Sequence, residues 1–214
     1  MAEALDKSFE LSNPPDYEPH PSQTITRRAE RTGQDRWGLA LDILLQGDGK
    51  GFLLFPFENY SGGSLEVVRE MLVDENTICG LGDAGAHVAT ICDASYPTFL
   101  LTHWARDRKR GEGVSLEALV AKQTGKTAAS YGLLDRGILA PGYRADINLV
   151  DFSSLSVTRP ELVYDLPSGG KRFIQRAVGY ERTFVGGIEM MCAGEHTGEF
   201  PGQLVRGEQR RPKL

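Results

Sequence analysis

Near residue 135 the chain changes character, and this change limits what it can fold into. Upstream, apolar residues recur at helical spacing. Downstream, the turn residues Gly137, Pro141-Gly142, Pro167-Ser168-Gly169-Gly170, Gly186-Gly187 and Gly194 separate short β-like runs at Asp146 to Phe152, Phe173 to Val178 and Thr183 to Val185. Such punctuation marks a small β-rich module over 135–214, following a region where helices alternate with strands. Residues 1–34 form a third part. Pro14, Pro15, Pro19 and Pro21 disfavour helix there, so an irregular arm is expected, with a short helix from Gln23 through Arg31.

Within 35–134 the pattern predicts strands enclosed by helices. A helix follows Gly33, with Trp37, Leu39, Leu41, Ile43, Leu44 and Leu45 on its apolar face, and Gly47 to Gly51 ends it. Phe52-Leu53-Leu54-Phe55, bounded by Gly51 and Pro56, has the length and continuous apolarity of a strand buried on both faces. Ser64 is placed to cap the next helix, and Thr77 to Leu81 reads as another buried strand, ending at Asp83. Strand, helix, strand in that order implies a parallel pair. Further helices are expected over Pro97 to Arg108 and from Ser115 to about Tyr131, with Gly132 as the stop.

Composition narrows the classes of function. The net charge of −5 is dispersed, and the basic groups around Arg106 to Arg110 and Arg206 to Lys213 are interrupted, so a nucleic-acid partner is not expected. No apolar stretch approaches the length of a membrane span, and Met1 to Glu10 lacks the organisation of a secretory leader; a soluble, cytoplasmic protein is the expectation. Three cysteines, Cys79, Cys92 and Cys192, with no C-x-x-C pair, suggest reduced thiols.

Gly80-Leu81-Gly82-Asp83-Ala84-Gly85 matches G-x-G-x-x-G, but its surroundings do not suit a dinucleotide loop. Asp93, Ser95 and Pro97 follow where a packed helix is required, and the acid at a suitable distance, Asp107, lies in a charged helical run. Two readings of Asp83 remain. It can cap the next turn, a common role for Asp among glycines and the simpler reading on spacing alone. Alternatively it sits at the carboxyl end of a barrel strand, where barrel enzymes place catalytic groups.

The block Gly80 to His87, together with Asp93-Ala94-Ser95-Tyr96-Pro97-Thr98 and Leu100-Leu101-Thr102-His103-Trp104, resembles the last barrel strand and following helix of the amidohydrolase superfamily, in its N-acyl-D-amino-acid deacylase branch. Gly132 to Gly137, Leu139 to Tyr143, Ala145 to Asn148 and Phe200 to Arg206 resemble the same branch in the same order. The resemblance implies an α/β fold: a partial (β/α) TIM-type barrel followed by a small β domain. It implies a hydrolase of non-peptide C–N bonds acting on an N-acyl amino acid or related amide, with zinc as cofactor. Asp83 is then the metal ligand and the general base, later the general acid, of the reaction.

Other family features do not map onto this sequence. Its histidines are His20, His87, His103 and His196, with no His-x-His pair, whereas a catalytic zinc takes three protein ligands. An isolated chain with Asp83 alone is expected to be inactive. Being the closing part of a barrel that needs roughly 250 residues, it should self-associate or recruit a complementing chain. A degenerate, non-catalytic paralogue is the alternative. His87 reads either as a substrate or second-shell residue or as an ordinary loop histidine; His103 reads as packing and His196 as surface. Asn59 and Tyr60, after the strand Phe52 to Phe55, read either as substrate contacts or as parts of a hydrogen-bonded loop. Residues 90–96 lack the arginine with which such deacylases hold a substrate carboxylate, which leaves the acyl-D-amino-acid substrate open.

Overall fold

The computed structural model describes residues 2–80, 82, 88–90 and 94–213. The chain is a mixed α/β protein that divides into two compact units, Met1–Met71 and Leu72–Leu214.

The first unit begins with a single helical turn, α1 (Ala2–Leu5), and a two-residue strand, β1 (Phe9–Glu10). Helix α2 (Ile25–Thr32) starts where the Thr24 hydroxyl accepts a hydrogen bond from the amide of Arg27, and stops at Gly33, whose φ of 67° the missing side chain permits. Asp35 caps α3 (Arg36–Gly49) through the amide of Gly38 at 2.7 Å. Left-handed backbone at Gly47 and Asp48 breaks its last turn, in the stretch where the glycines predicted its end. The two helices and the arm close over Leu5, Ile25, Ala29, Leu39, Ala40 and Ile43. Only Leu39 and Ile43 of the apolar face expected for α3 are buried here, while Trp37, Leu41, Leu44 and Leu45 stay exposed, and burying the cluster is what holds the unit together.

The run Phe52 to Phe55 forms a shorter strand than expected, β2 (Leu53–Leu54), and its partner is different. It pairs antiparallel with β1, Phe9 facing Leu54 and Glu10 facing Leu53. The expected parallel mate is not a strand: residues 77–80 are irregular. The proline-rich arm therefore supplies the strand that the βαβ pattern assigned to Thr77 to Leu81. Helix α4 (Glu66–Val73) forms where predicted, but Ser64 does not cap it; the Glu18 carboxylate accepts the amide of Leu65 at 2.8 Å.

In the second unit, α5 (Tyr96–Phe99) runs into a π-helical stretch, Leu100–Asp107, that buries Leu100, Thr102 and Trp104. Ser115 caps α6 (Leu116–Ala121), which continues through a second π stretch, Lys122–Lys126, into α7 (Thr127–Ser130) and ends at Gly132, φ 70°. Strands β3 (Ile147–Val150), β4 (Ser156–Val157), β5 (Glu161–Leu166), β6 (Gly170–Ile174), β7 (Ala177–Val178), β8 (Tyr180–Val185), β9 (Ile188–Cys192) and β10 (Glu195–His196) follow. A four-stranded antiparallel sheet has the order β10-β9-β8-β3, while β5 with β6 and β4 with β7 form separate pairs. Gly186 and Gly187, both at positive φ, make the two-residue turn from β8 to β9 that their dipeptide predicts.

The helices and the sheet of this unit are joined by polar side chains. Thr98 shares a hydrogen bond of 2.9 Å with Tyr180, and Ser95 donates to Gln175. Arg106 donates to the carbonyls of Phe152, Ser153 and Leu155 while holding Asp107 side by side at 2.7 and 2.8 Å. Leu155, at this link, is fully buried. Among the described residues no helix is long and apolar enough to cross a membrane.

Candidate functional site

Asp83 and His87 lie outside the described residues, and the structure shows how the chain is held on either side of them. After α4 the chain turns at Asp74, whose carboxylate accepts the amide of Asn76 at 2.7 Å. The turn is fixed from outside. Lys122, 4% exposed, donates from Nζ to the carbonyl oxygens of Leu72 and Asp74, both at 2.7 Å, and to the hydroxyl of Thr77 at 2.6 Å. The Thr77 hydroxyl itself donates to the Asp74 carbonyl. Cys79 follows two residues later; burial pushes its thiol above the ordinary range, against the opposing pull of the Lys122 ammonium. On the far side the Val88 carbonyl accepts the amide of Phe173 at 2.6 Å, and Ser95 is tied to Gln175.

Asn59 and Tyr60 belong to the first unit, where they line a cleft of about 200 Å³ with Asp6, Lys7, Phe9 and Phe57. Asn59 has φ 62°, a conformation that asparagine tolerates better than most side chains, and it turns the chain over the cleft. The Tyr60 ring is buried edge-on against Phe9 at 6.0 Å, and its hydroxyl donates to the carbonyl of Pro19. That hydroxyl is occupied by the arm, so what Tyr60 offers the cleft is its ring.

The other histidines take structural positions. His103 stacks on Phe99 at 4.6 Å and meets Trp104 edge to face. His196 is exposed, accepts the amide of Gly198 and lies against Phe200. His20 accepts the amide of Ser22 at the head of a short 3-10 turn. Among the described residues, no three His, Cys, Asp or Glu side chains come together in a way that could hold a metal ion. The described side chains thus do not by themselves fit a metal centre.

Two side chains with clear structural roles, Lys122 and Glu18, were not singled out from the sequence. A signal for Lys122 exists: it lies three residues after fully buried Leu119 on the same helical face, where a surface lysine is not expected. Glu18 has no such local signal.

The chain belongs to the amidohydrolase family, whose profile matches residues 55–188, more than half of its length. Among characterised relatives, it is similar to the N-acyl-D-aspartate deacylase of Alcaligenes xylosoxydans xylosoxydans, with 38% identity over 93 residues, 43% of this chain and 17% of that enzyme. It is also similar to the D-aminoacylase of the same organism, with 32% identity over 106 residues, 50% of this chain and 19% of the relative. The chain therefore spans less than a fifth of the length of these relatives. Among solved structures, a crystal structure of D-aminoacylase aligns with a TM-score of 0.47 and 23% identity, covering 90% of this chain and 36% of that one. A D-aminoacylase described by its binuclear metal centre aligns with a TM-score of 0.46 and 20% identity over the same shares.

Proposed function

We propose that this chain carries the Asp83 part of a metal-dependent site that hydrolyses the amide bond of an N-acyl amino acid or a related small amide. The observation that carries this reading is the family match over residues 55–188, which includes the whole glycine-rich block around Asp83. Identity to an N-acyl-D-aspartate deacylase and a D-aminoacylase supports the substrate class. In this reading residues 35–134 are the closing part of a (β/α) barrel and 135–214 a small β domain. Asp83 contributes a carboxylate to the metal, for which zinc is the family expectation, and exchanges a proton with the reacting amide. Asn59, Tyr60 and His87 contact the substrate, and the cytoplasm is the proposed location. With only His20, His87, His103 and His196 and no His-x-His pair, the chain does not complete this site itself, so the isolated chain is inactive.

Elemental analysis of the purified chain, with amine release from N-acetyl-D-amino acids measured with and without zinc, tests this. The expected result is well under one metal per chain and no turnover. One bound metal with turnover that Asp83→Asn abolishes supports the hydrolase and overturns the incompleteness of the site. Turnover indifferent to Asp83→Asn and to chelator removes Asp83 from its role. Titration with N-acetyl-D-aspartate, followed by amide chemical shifts, should move Asn59 and Tyr60; unchanged shifts there remove the cleft from the substrate site.

A second reading, in which the chain completes its fold with another copy or a complementing chain, is favoured by its exposed apolar groups. Leu139 is 86%, Phe200 83% and Leu204 76% exposed. Side chains of this kind, left in water, favour burial in a partner. Gel filtration should show an oligomer, and a stable monomer across a hundredfold dilution rules this out.

A further inference from the structure

The cleft of about 200 Å³ lies wholly within the first unit, and its lining carries more chemistry than Asn59 and Tyr60 supply. One side is aromatic. Phe9 and Tyr60 meet edge to face at 6.0 Å and are buried, whereas Phe57, in the same lining, is 69% exposed. An aromatic ring left in water beside a cleft is apolar surface that a ligand can cover. The volume bounds that ligand. A cavity of ~150 Å³ takes a benzene ring, while drug-sized ligands occupy roughly 300–1,000 Å³, so one ring with a small polar head fits and a nucleotide does not.

The polar part of the lining carries both signs of charge. In the antiparallel order of β1 and β2 the chain before Phe9 faces the chain after Leu54, which brings Lys7 and Glu58 to the same cleft. Both are exposed, and among the described residues neither side chain has a hydrogen-bond or ion-pair partner, so they do not pair with each other. Asp6, in the same lining, is already engaged: its carboxylate accepts the Thr26 hydroxyl at 2.6 Å and faces Arg36 at 3.7 Å. The cleft therefore offers one ammonium and one carboxylate, held apart beside an aromatic wall. A ligand with a single charge would satisfy one of them and be repelled by the other; a ligand with both charges answers both.

We propose that this cleft binds a free α-amino acid with an aromatic or large apolar side chain, its carboxylate at Lys7, its ammonium at Glu58 and its side chain against the rings of Phe57 and Tyr60. Hydrolysis of an N-acyl amino acid would release a compound of this class, but binding here needs neither Asp83 nor turnover, so the proposed function and this site fail separately. Acylation removes the ammonium. An N-acyl amino acid therefore keeps the Lys7 contact, loses that of Glu58, and binds the cleft more weakly than the free amino acid.

Amide chemical shifts of the full chain, titrated with D- and L-phenylalanine at about pH 6.5, where both ligand groups are charged, test this. At least one enantiomer should move the amides of Lys7, Phe57, Glu58 and Asn59, with a Kd on the order of 1 mM. 3-Phenylpropionate, which lacks the ammonium, and phenethylamine, which lacks the carboxylate, should each bind about fivefold more weakly, the upper range for an exposed pair. Glu58→Gln should weaken phenylalanine about fivefold and erase its advantage over 3-phenylpropionate; Lys7→Met should erase its advantage over phenethylamine. Both positions are exposed, so the variants should melt as the unaltered chain does, and if one fails to fold, the ligand series on the unaltered chain decides. The proposal is overturned if neither enantiomer moves these amides, if the two singly charged compounds bind as tightly as phenylalanine, or if its advantage over them survives in both variants. Binding of N-acetylphenylalanine without binding of phenylalanine also overturns it, while leaving the cleft to the proposed function.

Discussion

The two ends of α4 are held by opposite charges, and by different means. At its start a single carboxylate, Glu18, accepts the amide of Leu65; at its exit one ammonium, Lys122, spreads three hydrogen bonds over Leu72, Asp74 and Thr77. Both signs suit the helix dipole, negative at the amino end and positive at the carboxyl end. The start is a cap that happens to come from a distant residue. At the exit, the bonds reach beyond the helix into the turn that leads to Asp83. The comparison teaches that holding the end of an element and holding the chain beyond it are separate tasks, and that the second takes more donors.

The largest effect should come from Lys122→Met, which removes three hydrogen bonds from the buried ammonium to the Asp74 turn; a loss of about 3 kcal/mol in urea unfolding is expected. A loss under about 0.5 kcal/mol, within the range of a surface change, would break the comparison. Glu18→Ala should follow at about 2 kcal/mol, the upper range for a lost helix cap. Glu18→Gln keeps an acceptor and removes the charge. It should lose only about 0.5 kcal/mol if the bond matters more than the dipole, and circular dichroism melts of the two variants separate the contributions.

A smaller effect concerns Asp107, whose carboxyl is held below the ordinary carboxylate range first by its hydrogen bond to Arg106. With its pKa lowered in the folded state, the pair contributes stability that is complete above the unfolded carboxylate pKa and is lost as the pH falls through the folded one. The Asp107 carboxylate is half exposed, so the contribution is small. Melts recorded from neutral pH downward should flatten slightly in Arg106→Gln below the ordinary carboxylate range, and an unchanged acid limb would remove the pair from the ledger of anchors.

How much of this was legible in the sequence follows from range. The helix from Ser115 to Gly132 carries its start and stop in its own residues, and the Gly186-Gly187 hairpin carries its turn chemistry, so both were readable. Strand β2 was readable as a strand but not in its pairing, because its partner, Phe9–Glu10, lies in an arm whose prolines disfavour any element. The partners of the α4 anchors were not readable, although the place of Lys122 on the buried face of its helix was. Glu18 meets Leu65 across 47 positions and Lys122 meets Leu72 across 50, and no local pattern records such a meeting. Asp83 drew notice through the order of motifs around it, since spacing alone favoured a turn cap.

The π stretch at Lys122 also makes this helix sensitive to its length. Each residue of a regular helix turns the chain by about 100°, so removing one residue between Gln123 and Lys126 would tighten the wide turn and swing one side of the helix relative to the other. Either the ammonium would leave the Asp74 turn, or the tail of the helix with its Gly132 stop would face a new direction. Point substitutions at exposed positions beyond Lys122 can be absorbed in this stretch, but single-residue insertions and deletions should be excluded from it.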